Sequence, residues 1–157
     1  MERDIEQPAA RLSQRLRAHR LIGLDTSVFI THFEAQPTRL ALTTAVLTAI
    51  ETGAMEAVTS VVTLMELTVR PWQQDEAALA RQYEALLVNF PHLDMVEIDR
   101  TVARRAAQLR ASHRLRPADA LQAAAALGRG ATALVTNDRD FLRLASLLDI
   151  IVLDDFV

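Results

Sequence analysis

Short, largely apolar runs recur along this chain, at residues 21–24, 57–59, 95–98, 131–135 and 150–153, and between them apolar residues fall on a helical period. A strand that is apolar on both faces must be buried on both. Strands that alternate with helices achieve this in a parallel sheet covered by helices on each side. The expected fold is therefore α/β, a three-layer sandwich around a short, mostly parallel sheet of four or five strands. A chain of 157 residues can bury a core of that kind as one domain. Residues 1–20 precede the first run. Within them 9–19 read as a short helix with Leu12 and Leu16 on one face, a helical extension appended to a domain over 21–157.

Punctuation along the chain refines the pattern. The first run ends abruptly at Asp25, Thr26 and Ser27, a polar exit that opens a helix through Val28, Phe29 and Ile30. A helix over 40–50 stops at Gly53, and Ser60 caps another that must end by Pro71. Further helices are expected over 75–88 and 99–112. Pro117 suits the first turn of one reaching Leu127, which Gly128 and Gly130 end. Thr136, Asn137 and Asp138 leave the fourth run, and Asp138 or Asp140 can begin a short helix holding Phe141 and Leu144. Open α/β sheets bind ligands outside the carboxyl ends of their strands, and Asp25 and Asp138 stand at two such ends.

Composition removes several chemistries. There is no cysteine, so disulfides and thiolate metal sites are excluded and any metal must be held by oxygen or imidazole. All 17 basic residues are Arg, which rules out the phosphate lysine of a P-loop and every Schiff-base enzyme. The first twenty residues mix acids with arginines, and no stretch has the length of an apolar membrane span, so a cytoplasmic protein without membrane contact is expected. The net charge of −3 conceals two blocks: residues 21–99 carry three Arg against eleven acids, and 100–143 nine Arg against three acids. An acidic pocket beside a basic track suits metal and nucleic acid together; solvated helix faces explain the blocks equally well.

Four acids stand out, and each has an ordinary alternative. Asp25 could be a helix cap, although Thr26 and Ser27 are available for that task. Glu66 lies in the apolar stretch SVVTLMELTV, where Thr63 one turn earlier leaves a solvated face open; turned inward, its charge would need a metal or a proton. Asp119 falls in a first helical turn, where the helix dipole favours negative charge by about 0.3–1 kcal/mol. Asp138, like Asp140, could open its own helix. What joins them is a common placement at one edge of one sheet. Carboxylates gathered there repel unless hard cations such as Mg²⁺ or Mn²⁺ neutralise them. His113 has no second histidine at metal spacing and reads as a helix-end residue, while Trp72 and Tyr83 read as core or interface aromatics. A haloacid-dehalogenase-type phosphatase would need a second Asp where Ser27 stands.

The segments LIGLDTSVFI, TSVVTLMELTV, LRPADALQAAAAL and LVTNDRDF, in this order and spacing, resemble the PIN-domain family, and within it the toxin ribonucleases of VapBC toxin–antitoxin pairs. The resemblance runs from Leu21 to Val157. It implies hydrolysis of RNA phosphodiester bonds by metal-activated water, with one or two Mg²⁺ or Mn²⁺ ions. Asp25, Glu66, Asp119 and Asp138 map onto the acidic quartet, with Asp25 and Asp119 as the direct ligands. Asp140 is an accessory or alternative fourth acid. Thr26, Ser27, Thr136 and Asn137 match accessory polar positions. The resemblance further implies a homodimer and an antitoxin partner whose arm covers the acidic site. Arg104, Arg110, Arg114 and Arg116 are candidates for contacts to the RNA backbone. The competing reading is a PIN fold kept as a binding or regulatory module with weak or no catalysis.

Overall fold

The structure is a computed structural model describing residues 2–157, with side chains described from Pro8 onward. Five parallel strands, β1 (Leu21–Leu24), β2 (Glu56–Ser60), β3 (Leu93–Val96), β4 (Ala133–Thr136) and β5 (Asp149–Val152), form one sheet in the order β3-β2-β1-β4-β5. The helices are α1 (Glu2–Leu16), α2 (Thr26–Phe33), α3 (Leu40–Glu51), α4 (Val61–Gln73), α5 (Ala77–Asn89), α6 (Arg100–His113) and α7 (Pro117–Gly128). Strand order runs one way from β1 through β2 to β3, then restarts on the other side of β1 with β4 and β5. The switch point therefore lies between the carboxyl ends of β1 and β4, where such sheets hold their ligands.

Alternation along the strands divides the core in two. Ile22, Leu24, Ala57, Ala133, Val135 and Ile151 face one cluster, built with α1 to α5. Val58, Val96, Leu134, Ile150 and Val152 face the other, built with α6 and α7. This is the expected three-layer sandwich. Among the described residues no helix is long and apolar enough to cross a membrane.

Gly23 sets how close α7 comes to the sheet. A Cβ there would lie 2.8 Å from Ala126 Cβ and 2.9 Å from Leu134 Cδ1, inside contact distance. The glycine and the buried Ala120, Ala123, Ala124 and Ala126 together let α7 lie directly on β1 and β2. That approach carries the N-terminus of α7, with Asp119, to the switch point.

Several boundaries differ from the sequence reading. Helix α4 continues through Pro71 to Gln73, because the proline falls in the last turn and Gln74 N–H still reaches the carbonyls of Arg70 (3.1 Å) and Pro71 (3.2 Å). Asp75 has φ +56, so α5 starts only after it. Edge strand β3 lies two residues earlier than expected, paired from Leu93 opposite Ala57 to Val96 opposite Ser60. The N-terminal segment is no appendage. Leu12 and Leu16 do share a face, and both are fully buried in the first core cluster, a burial worth about 1.5–3 kcal/mol each. Asp149 on β5 ties this helix down through Arg15 and through His19 Nε2 at 2.9 Å, while His19 Nδ1 meets Thr132 Oγ1 at 2.7 Å.

Candidate metal centre

Asp25 follows the last residue of β1 and is buried, its N–H bound to the Val135 carbonyl at 3.0 Å. It occupies the N-cap position of α2, yet its carboxylate caps nothing. Instead Oδ2 accepts hydrogen bonds from Ser27 Oγ (2.8 Å) and Thr136 Oγ1 (2.9 Å). Each hydroxyl is itself oriented by a backbone donor, Asn137 N–H onto Ser27 and Asp138 N–H onto Thr136, both at 2.9 Å. Residues that the sequence offered as caps thus stitch the exits of β1 and β4 together around one carboxylate. Asn137 Oδ1 accepts from Asp154 N–H at 3.1 Å and secures the same corner.

Burial pushes the Asp25 carboxyl above its ordinary range, the two hydroxyls and the Thr26 N–H oppose that, and the charge of Glu66 adds to it. Asp119, in the first turn of α7, is likewise raised by burial. Arg116 pulls it down, and the charges of Asp25 and Asp138 push it up again. Glu66 thus acts on Asp25, and Asp25 and Asp138 act on Asp119.

Asp119, Asp138 and Asp140 offer carboxylate oxygens that all lie within 4.8 Å of one another. Arg116 stands among them. Its Nε donates to Asp119 Oδ2 at 3.2 Å, its Nη2 donates to Asp138 Oδ2 at 2.8 Å, and Asp140 Oδ2 lies 4.0 Å away. A mostly exposed guanidinium thus takes the place that a cation would occupy between these carboxylates. The donors are all oxygen, which fits a hard divalent ion such as Mg²⁺ or Mn²⁺. Asp138 also caps the short 3₁₀ helix over Arg139–Leu144, its Oδ1 accepting from Asp140 N–H at 2.9 Å, the helix-opening role foreseen for it.

Glu66 is half-buried on α4, and Thr26 Oγ1 donates to its Oε1 at 2.8 Å. The polarity of α4 is the reverse of a solvated-glutamate helix. Thr63 and Glu66 point inward, whereas Met65, Val69 and Trp72 are 58%, 47% and 53% exposed. Trp72 is therefore not a core residue. Tyr83 is partly buried and stacks on Phe33 with ring centroids 5.0 Å apart. Beside Glu66 opens a cavity of about 320 Å³ whose walls include Phe33, Leu67 and Tyr83.

The remaining candidates divide along α6: Arg110 and Arg114 lie near the turn into α7, whereas Arg104 is next to Arg105, which meets Gly128 at the end of α7 away from Asp119. Arg104 is exposed on α6, Arg110 Nε donates to the Leu115 carbonyl at 3.2 Å, and the Arg114 carbonyl accepts from Arg143 at 2.9 Å. His113 ends α6 with its Nδ1 buried and without a hydrogen-bond partner among the described residues, outside the acidic group. Sequence reasoning passed over Gln122, a lone amide in an alanine-rich helix that is 3% exposed and binds Thr26, Thr63 and Ser60. A polar residue at a helical core position is the signal that could have found it, since a buried amide must have partners.

The PIN domain model matches residues 22–147. The chain belongs to the PIN domain family. Among curated proteins none matches it in sequence. Solved structures with the same fold include VapBC-1 from nontypeable Haemophilus influenzae, at TM-score 0.65 and 16% identity, covering 85% of this chain and 98% of that one. VapBC2 from Rickettsia felis, bound to a DNA fragment from its promoter, aligns at TM-score 0.64 and 17% identity over 83% and 96% of the two chains. FitAcB from Neisseria gonorrhoeae aligns at 0.63 and 20% identity over 84% and 97%. These likenesses establish the fold of this PIN domain.

Proposed function

We propose that this PIN domain is a Mg²⁺- or Mn²⁺-dependent endoribonuclease and the toxin of a toxin–antitoxin pair, acting in the cytoplasm. The observation that carries the reading is the cluster of carboxylates at the switch point with a guanidinium in the cation's place. Asp25 and Asp119 would be direct ligands, Glu66 and Asp138 would complete the shell, and Asp140 is within reach of it. A divalent ion held there supplies a water of lowered pKa and neutralises charge on the phosphate. The residues do the rest. Ser27 and Thr136 hold Asp25 by Oδ2, and Oδ1 would be its ligand atom. Arg116, once released from the acids, is a cation for an incoming phosphate, and Arg110 and Arg114 near the α6–α7 turn would add to it.

The toxin reading draws support from the neighbouring folds, described as VapBC and toxin–antitoxin complexes. The cavity beside Glu66, walled by Phe33, Leu67 and Tyr83 and also by Glu34 and Arg70, gives an antitoxin arm a seat next to the acids. The exposed stripe Met65, Val69 and Trp72 offers a face for a second copy. The test is cleavage of RNA by the purified chain. Activity should stop with EDTA, return with Mn²⁺, vanish in Asp25→Asn and leave 5′-phosphate ends. Cyclic 2′,3′-phosphate ends or EDTA-resistant cleavage would overturn the mechanism, and no cleavage at all would favour a binding module.

A further inference from the structure

Behind Asp25 and Glu66 lies a closed set of polar side chains in which every proton has one consistent place. Thr26, Thr59, Ser60, Thr63 and Gln122 are each at most 4% exposed. Ser60 Oγ accepts from Val62 N–H at 3.2 Å, so its own proton is free for Gln122 Oε1 at 2.7 Å. The carboxamide therefore turns its Nε2 to Thr26 Oγ1 (3.0 Å) and Thr63 Oγ1 (2.7 Å). Thr59 donates to the Leu24 carbonyl at 3.0 Å and so accepts from Thr63 at 2.8 Å. Thr26, already an acceptor from Gln122, has its single proton left for Glu66 Oε1 at 2.8 Å. The 3.0 Å contact between Thr26 and Thr63 is left with no proton to fill it.

The opposite flip of Gln122 fails on the same inventory. Its oxygen would face two hydroxyls whose protons are committed to Glu66 and Thr59, and Ser60 would face two donors while its own proton lost its acceptor. In a buried network such losses are costly, about 1–3 kcal/mol for each group left without a partner. One orientation is thus selected, and it ends at Glu66.

We propose that Gln122 is a positioning residue: by presenting an N–H to Thr26 it aims the Thr26 proton at Glu66 and fixes that carboxylate, one oxygen held from behind and the other left for the metal. This rests on the metal-site reading above and adds to it a residue that touches neither metal nor substrate. Groups that orient metal ligands change affinity by about 10–100-fold when removed.

The experiment is a calorimetric titration with Mn²⁺ alone of wild type, Thr26→Val, Gln122→Met and the double variant, with Thr26→Ser as control. Each of the first two single changes should weaken Mn²⁺ about tenfold, the double should be no weaker than either, and Thr26→Ser should bind as wild type. Wild-type affinity in Gln122→Met, or effects that multiply in the double, would overturn the proposal, since independent sites add in free energy. Gln122→Glu is the second variant. It keeps an oxygen for Ser60 but turns an acceptor toward Thr26, so Mn²⁺ should bind more weakly despite the added negative charge; equal or tighter binding would contradict the relay. Absence of Mn²⁺ binding in wild type would instead remove the metal-site reading itself.

Discussion

Asp25, Thr26 and Ser27 show how three adjacent residues divide one task. Local physics would make any of them a helix cap. Instead Ser27 donates to Asp25 two residues away, while contacts across the fold bring Thr136 to Asp25 and Thr26 to Glu66. Arg116, a candidate RNA contact, is in addition the counter-ion of Asp119 and Asp138. Competition follows. Arg116→Ala should bind Mn²⁺ several-fold more tightly in calorimetry, because a competing cation is gone, and should show a higher KM for RNA if the guanidinium meets phosphate. Weaker Mn²⁺ binding would mean that Arg116 organises the acids rather than shielding them.

Among the elements, α7 carries the most consequence because it brings Asp119 to β1 and β4. Gly23→Ala should push α7 off the sheet, since the new methyl meets Ala126 Cβ and a β4 side chain rather than a flexible tip. Overpacking of this kind costs about 1–3 kcal/mol. A lower Tm together with weaker Mn²⁺ binding is expected, and an unchanged melt would show that the close approach is not needed. The elements themselves were largely legible. Short apolar runs and the helical period, with Ser60, Gly53 and Pro117, located strands, helices and their ends. Where the reading slipped, the cause was non-local or conformational: β3 takes its register from β2, Asp75 adopts a positive φ, and the leucines of α1 find their partners far along the chain on α3 and beyond β5. The acids could be listed from the sequence, and the resemblance offered Thr26, Ser27 and Thr136 as accessory polar positions, but which carboxylate each hydroxyl would hold, and the part of Gln122, could not be read. No local pattern pairs Thr136 with Asp25 or Gln122 with Thr26, residues 111 and 96 positions apart.

At the level of the molecule, an acidic centre and an exposed apolar stripe lie on opposite sides of α4. If that stripe pairs two copies, Val69→Asp should turn a dimer into a monomer at micromolar concentration in sedimentation while the fold is retained. A wild-type monomer would remove the dimer. The central claim is that the acids form one metal site, and it bears on the stability of the whole fold. Asp25 and Asp119 have carboxyl groups raised above their unfolded range of about 3.9. Their contribution to stability is therefore present below that range and lost as pH rises through the folded values, so at neutral pH the metal-free protein carries a cost that a cation relieves. The direct measurement is a thermal melt at pH 7 of wild type, Asp25→Asn and Asp119→Asn, each with EDTA and with Mn²⁺. Both variants should melt at or above wild type in EDTA, and Mn²⁺ should raise only wild type appreciably, by binding its folded state. Variants that melt lower in EDTA, by the roughly 0.5–2 kcal/mol of a lost cap, and respond to Mn²⁺ as wild type does would contradict the claim.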